Sequence, residues 1–259
     1  MLDLTVLEKA YRAYVDTYRG ADGTLPEMMK LKLGHTFRVV RAAKAIAAGE
    51  HFPPHTAAVC EAAALLHDTG RYEQLRLYNT FRDSDSVDHA VFSHQIVKEK
   101  GWLAGLAEKD AILTAVLVHN RREIPADIQD PETLLACKTV RDADKLDIFR
   151  ILEDQLKTTD WRNANQAFWG LSPIGPVNEA VVQAIEARRS VDYQNIKTLA
   201  DFVLIQVGWM VSDLNFATSR RLCLAADHLE FRRKFLYELT DSPCIDRLCN
   251  LAESCLKAD

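Results

Sequence analysis

Apolar and polar positions alternate with a helical period along nearly the whole chain. Residues 2–19 set Leu4, Leu7, Tyr11, Tyr14, Val15 and Tyr18 three and four apart, which predicts an amphipathic helix ending at Gly20 and the loop ADGT. Pro26 suits the first turn of a second helix running to about Gly49, with Met29, Leu33, Phe37, Val40 and Ala43 or Lys44 progressing along one side and His35 within it. Pro53 and Pro54 interrupt the chain, Thr56 opens the next element, and the run AAVCEAAALLH is nearly devoid of charge, so a helix buried on all sides is expected. It should end at HDTGR, where Gly70 is expected to take the left-handed conformation that closes a helix, leaving His67 and Asp68 at its inner end.

Residues 76–87, RLYNTFRDSDSV, follow neither period and are rich in Asp and Ser, which predicts a polar loop flanked by Arg76 and Arg82. Helices are predicted over 88–100, 104–119 and 131–158, the last with Asp130 as cap and Pro131 at its first position. Residues 161–180 have the composition of a loop, and further helical runs are expected near 176–189, 195–215, 217–239 and 243–257. Within them Phe202, Val203, Ile205, Val207, Trp209 and Met210 read as one deeply buried helix. The fold class is all-α, with no internal repeat.

Composition agrees. Ten Gly and eight Pro in 259 residues, with many Ala, Leu, Glu, Lys and Arg in uninterrupted runs, argue against a turn-rich sandwich or barrel. A net charge of -5 gives no general attraction to duplex nucleic acid or to an anionic membrane, although a local basic cluster can still grip a phosphate. The longest apolar run, Phe202 to Ser212, is too short to span a bilayer, and MLDLTVLEKA lacks the pattern of a secretory signal, so a cytoplasmic protein is expected. The six cysteines form no C-x-x-C pair and read as free, partly buried thiols.

The candidate chemistry lies in the first half, where His35, His67, His89, His94 and His119 fall. Four of them sit inside or at the ends of otherwise apolar helices. One histidine in such a place is usually structural; several together point to a metal site. The adjacent His67 and Asp68 offer an imidazole nitrogen and a carboxylate oxygen to one ion, a donor set suited to Mn, Fe, Co or Zn, and Asp68 can bridge two ions. In RDADKLD, at about 100° per residue, Asp144 and Asp147 share a face with Val140 and Ile151, while Asp142 points away from Asp144.

The segments GHTFRVV, ALLHDTGR and RDADKLD, in this order, resemble the HD-domain superfamily of metal-dependent phosphohydrolases over roughly residues 25–155. An HD-type helical domain is expected over residues 1–160, with a C-terminal helical extension over 161–259 packed on it, or the two as one continuous domain. The resemblance implies a first ion held by His35, His67, Asp68 and Asp144, and a second held by Asp68, His89 and His119. Asp142 is then solvated or just outside the ligand shell, with its serving as the ligand instead of Asp144 left as the alternative. His94 is either a buried or hydrogen-bonded helix residue or an additional ligand. Arg71 occupies a position where many two-metal members carry Lys, whereas one-metal nucleotidases often carry an acid there. Asp68 and Arg71 are thus the expected catalytic residues, and Arg71, Arg121 and Lys145 the expected substrate contacts.

The implied activity is hydrolysis of a phosphate ester of a nucleotide or other small metabolite by a metal-activated water. One or two divalent ions are expected, Mn, Fe, Co, Ni or Zn, with Mg also admitted. The expected partner is a small phosphorylated substrate, not duplex nucleic acid or membrane; a homo-oligomer stays open. Two rival readings remain: a di-iron oxygenase of the same fold acting on an alcohol or phosphonate, and a non-catalytic module that binds metal or nucleotide.

Overall fold

A computed structural model describes residues 2–158 and 171–258. These residues form twelve α-helices and no β-strand, as the hydrophobic periodicity predicts. Local chemistry sets the helix ends. Asp3 caps α1 (Leu4–Asp16) by accepting from the amides of Thr5 and Val6. Pro26 precedes α2 (Glu27–Gly49), and Pro54 opens α3 (Pro54–Leu66), where a missing N–H costs nothing. After α4 (Gly70–Tyr78) and a loop, Asp88 caps α5 (His89–Lys100) through the amides of Ala90 and Val91. Next come α6 (Lys109–Val118) and α7 (Pro131–Thr158), with Asp130 accepting from the Thr133 amide at 2.8 Å. The remaining helices are α8 (Glu179–Glu186), α9 (Leu199–Ser212), α10 (Ala217–Ala225), α11 (His228–Leu239) and α12 (Cys244–Leu256).

The chain divides into two compact units, Met1–Asp144 and Lys145–Asp259, with the division inside α7. In the first unit α3 is central and packs against α1, α2 and α6. Ala62, Ala63 and Ala64 are fully buried, and their small side chains let three neighbours approach one helix. α5 packs against both α4 and α6.

Several expectations are corrected. Gly70 does not close a helix in the left-handed region; it is the first residue of α4, an element the sequence reading missed. The glycine is required by close approach instead. A Cβ there would lie 2.6 Å from the Ser93 amide nitrogen and 3.0 Å from the His89 carbonyl oxygen, and the Gly70 amide donates to Ser93 Oγ at 2.8 Å. The buried stripe of α2 is also rotated: Met29, His35, Thr36, Val39, Ala43 and Ile46 face inward, while Leu33, Phe37 and Val40 are only half-buried. The helix expected from 104 begins at Lys109, and the run 217–239 is two helices, broken where Asp227 takes φ 55°. Of the expected loop at 161–180, residues up to 170 lie outside the described residues.

In the second unit α9 packs against α8, α11 and α12. A capping box of Thr198 and Asp201 starts it, and nearly every side chain along it is buried. The unit also encloses a fully buried guanidinium. Arg232 donates to Glu153 Oε1 at 2.7 Å, to Gln206 Oε1 at 2.6 Å and to the carbonyls of His228 and Phe149, and His228 Nδ1 lies 2.6 Å from the same Glu153 oxygen. A buried charge is tolerated when paired and hydrogen-bonded in this way.

Two stability predictions follow from this packing. Gly70→Ala should cost about 1–3 kcal/mol, because the added carbon meets backbone and not a flexible side chain, and thermal melting measures it. Burial alone would raise the Glu153 carboxyl, but hydrogen bonds from His228 and Arg232 hold it below its ordinary value of 4.5. A depressed carboxylate contributes its stability fully above that ordinary value and loses it as pH falls through the lower folded value. Glu153→Gln should therefore destabilise by roughly 3 kcal/mol at neutral pH. Denaturant melts of the two proteins should converge as the pH is taken well below 4.5.

Candidate metal centre

Four segments of the first unit converge on Asp68. Its Oδ2 lies 3.5 Å from His35 Nε2 and 3.6 Å from His67 Nε2, while its Oδ1 lies 3.6 Å from His89 Nε2 and 3.8 Å from His119 Nε2. Asp144 Oδ1 joins the first group, 3.1 Å from His35 Nε2 and 3.8 Å from His67 Nε2. Within each group the imidazoles face one another, His35 and His67 at 3.3 Å and His89 and His119 at 3.0 Å between Nε2 atoms. One carboxylate thus presents its two oxygens to two clusters of nitrogen donors.

Helix ends place these rings. His67 and His119 are the C-caps of α3 and α6, where the last carbonyls have no partner within the helix. Each ring bonds through Nδ1 to the carbonyl three residues earlier, His67 to Ala64 at 2.8 Å and His119 to Val116 at 2.7 Å. His89 opens α5, and its Nδ1 lies 2.5 Å from Asp83 Oδ2. A carbonyl and an ionised carboxylate only accept, so all three Nδ1 atoms carry a proton and each ring turns its Nε2 to the centre.

Burial fixes the charge states. It lowers the pKa of His67 below 6.5 against the opposing pull of Asp68 and Asp144, and, with His89 and His67 alongside, lowers that of His119 well below 6.5. Burial alone would raise the Asp68 carboxyl, but Lys32, and after it His67, Arg71 and His89, hold it well below its ordinary value. Asp144 is also held down, burial being outweighed by the hydrogen bond and charge of His35. Neutral imidazoles and ionised carboxylates are the forms that bind a divalent cation.

The Nε2 atoms of His89 and His119 face each other at 3.0 Å beside Asp68 Oδ1. Four nitrogen donors with one buried and one half-buried carboxylate fit a borderline divalent metal, and His35, His67 and Asp144, like His67, Asp68 and His119, offer ligand atoms all within 4.8 Å of one another.

The expected substrate contacts divide. Arg71 lies at the centre: its Nε is 3.5 Å from Asp68 Oδ1, buried and without a hydrogen-bond partner. Its Nη1 donates to Gln74 at 2.8 Å, to the Phe81 carbonyl at 2.7 Å and to Asp83 at 2.9 Å, which ties it to the 79–87 loop. The Arg121 guanidinium is half exposed beside Asp88 Oδ2 at 3.6 Å, and the structure does not bring it to the histidines. Lys145 belongs to the second unit, with its ammonium 5.5 Å from the Trp209 ring centre. His94 is half-buried on α5 and joins neither cluster; burial, then Lys98, lowers its pKa. Asp142 is fully buried, so the expectation that water might surround it is corrected.

Three residues at the centre escaped the sequence reading. Lys32 places its ammonium 2.6 Å from Asp68 Oδ2; its position one helical turn before His35 was the available signal. Asp83, read as part of a polar loop, orients His89. Arg141 is buried and donates to the carbonyls of Val118, His119, Arg121 and Arg122, fixing the segment that carries His119.

Comparison with protein families matches the HD domain over residues 33–148, a span that contains every side chain of the two clusters. Residues 33–148 of this chain form an HD domain. The HD family consists mostly of metal-dependent hydrolases, and HD domains bind divalent metals; the donor set here fits such a site. No curated protein and no solved structure gives a significant match. No helix among the described residues of this HD-domain protein is long and apolar enough to cross a membrane.

Asp83→Asn should weaken binding of Zn²⁺ or Mn²⁺ by about 10- to 100-fold in a chelator-competition titration. The amide accepts the His89 proton less strongly and no longer favours the ring orientation that aims Nε2 inward. Helical content should not change.

Proposed function

We propose that this protein is a metal-dependent phosphohydrolase that cleaves the phosphate ester of a nucleotide or another small metabolite. His35, His67, Asp68 and Asp144 would hold one divalent cation, and Asp68, His89 and His119 a second. The observation that carries the reading is the division of Asp68, one oxygen toward His35 and His67 and the other toward His89 and His119. A carboxylate so placed suits two cations sharing one ligand, the arrangement that serves in-line displacement at phosphorus. Mn, Fe, Co, Ni or Zn suits the imidazole-rich set better than Mg.

When bound, such cations supply Lewis acidity at the phosphoryl oxygens and lower the pKa of a water. The chain's own residues do the remaining work. Asp68 stays ionised through the charges around it and so remains a ligand rather than a proton carrier. The unpartnered Nε–H of Arg71 offers one charge-assisted bond to a phosphoryl oxygen, while the Nη1 bonds hold the guanidinium plane fixed. Asp83 keeps the proton on His89 Nδ1, and the carbonyls of Ala64 and Val116 do the same for His67 and His119. With His67, Asp68 and His119 nearly inaccessible, these electrostatic interactions act at low dielectric.

Phosphate release from nucleotides and small phosphate esters, with each of the six metals added, tests the reading. Metal-dependent release is expected, reduced about 1,000-fold in Asp68→Ala, a barrier change of about 4 kcal/mol. Circular dichroism should report an intact helical fold in that variant. No release with any metal, or full activity in the variant, would overturn the proposal. Oxygen consumption by the iron-loaded protein with an alcohol or phosphonate would replace it with the oxygenase reading.

A further inference from the structure

Lys32 stands on α2 one turn before His35, and its ammonium donates to the Asp68 oxygen that also faces His35 and His67. Its side chain is 20% exposed, whereas Asp68 is buried, so it reaches the carboxylate from the solvent side. Phe81 lies against it, with the ring centre 5.6 Å from Lys32 Nζ and 5.7 Å from Arg71 Cζ. Lys32 and Arg71 therefore flank one carboxylate and lie near one aromatic ring, so a single anion bound at Asp68 can meet both.

The neighbouring cations are committed elsewhere. Arg141 is held by four backbone carbonyls, Arg121 lies beside Asp88, and the Nη1 of Arg71 is tied to the 79–87 loop. The carboxylate partner of Lys32 is one that a divalent cation would claim. We propose that Lys32 is the principal phosphate-binding cation of the centre: it balances Asp68 when no metal is bound and turns to a phosphoryl oxygen once Asp68 is a metal ligand. The inference rests on the metal-dependent phosphohydrolase reading for the presence of a phosphate and adds the residue that grips it.

The exchange has a physical cause. An ammonium 2.6 Å from Asp68 Oδ2 is repelled by a divalent ion on the same oxygen, and burial weakens the screening between them. The lysine stem is flexible and carries three donors, so the head can turn while α2 stays in place. One charge-assisted bond is exchanged for another, from carboxylate to phosphoryl oxygen. No proton moves.

The test compares wild type, Lys32→Met and Lys32→Arg at one pH, by calorimetric titration with Mn²⁺ and then of the Mn²⁺-loaded proteins with inorganic phosphate. Lys32→Met should bind Mn²⁺ about 10-fold more tightly, because the competing ammonium is gone, yet bind phosphate about 10- to 100-fold more weakly. Lys32→Arg should restore most of the phosphate affinity. Equal phosphate affinity in wild type and Lys32→Met overturns the inference, as does weaker Mn²⁺ binding in Lys32→Met, which would mark Lys32 as support for the ligands alone. Matched melting curves before titration exclude misfolding as the cause. The phosphate comparison needs no turnover, so failure of this inference and failure of the hydrolase reading show separately.

Discussion

Asp68 stays ionised in a place where burial works against it, and the architecture of the first unit can be read as the means of doing so. Its carboxylate is 3% exposed and has imidazole nitrogens on both sides. Lys32 and Arg71 supply the nearest positive charge, one toward each oxygen. A buried anion that loses such partners costs several kcal/mol, so the helices bearing those cations are constrained along with the one bearing the anion. The tight contact of Gly70 with α5 serves the same end, since it sets where His89 begins relative to Asp68.

Three of the four imidazoles are held by rules that apply at any helix end. An α3 or α6 carbonyl left without an intrahelical donor takes the Nδ1 proton of the capping histidine, so chain termination and ligand orientation are one event. For His89, at the opposite end of a helix, no free carbonyl is at hand and a carboxylate from the preceding loop serves instead. The difference explains why the 79–87 loop cannot be a passive connection. Asp83 bonds His89 and Arg71 together, and Gln74 donates to Asp83, Ser86 and the Val87 carbonyl.

What the sequence disclosed depended on whether the signal was local. Helix positions were legible because apolar spacing reports the buried face directly, and the HD pair with its flanking His35 and Asp144 was legible because residue type and order are preserved in the chain. The buried face of α2 was misread for the reason that makes the helix useful: His35 and Thr36 occupy inward positions that a hydrophobic pattern assigns to Leu33 and Phe37. Gly70 was misread because φ > 0 and close approach both select glycine, and only the second depends on a residue distant in sequence, Ser93. Lys32, Asp83 and Arg141 were overlooked since a Lys, an Asp in a polar loop and an Arg beside two acids all have commoner explanations on a solvated surface. Their partners are set by tertiary packing.

The two units bury polar groups on different terms, and the contrast bears on which of them is a reactive site. In the second unit Arg232, Glu153, His228 and Gln206 form a network in which donors meet acceptors, leaving Gln206 Nε2 as the unpaired atom. Such a network stabilises one packing and needs nothing added. In the first unit ligand atoms gather instead: the Nε2 atoms of His89 and His119 lie 3.0 Å apart beside Asp68 Oδ1, His35 and His67 face its other oxygen, and Arg71 Nε is buried without a hydrogen-bond partner. Imidazole nitrogens and carboxylate oxygens at that spacing fit a divalent cation, whereas the network of the second unit closes on itself.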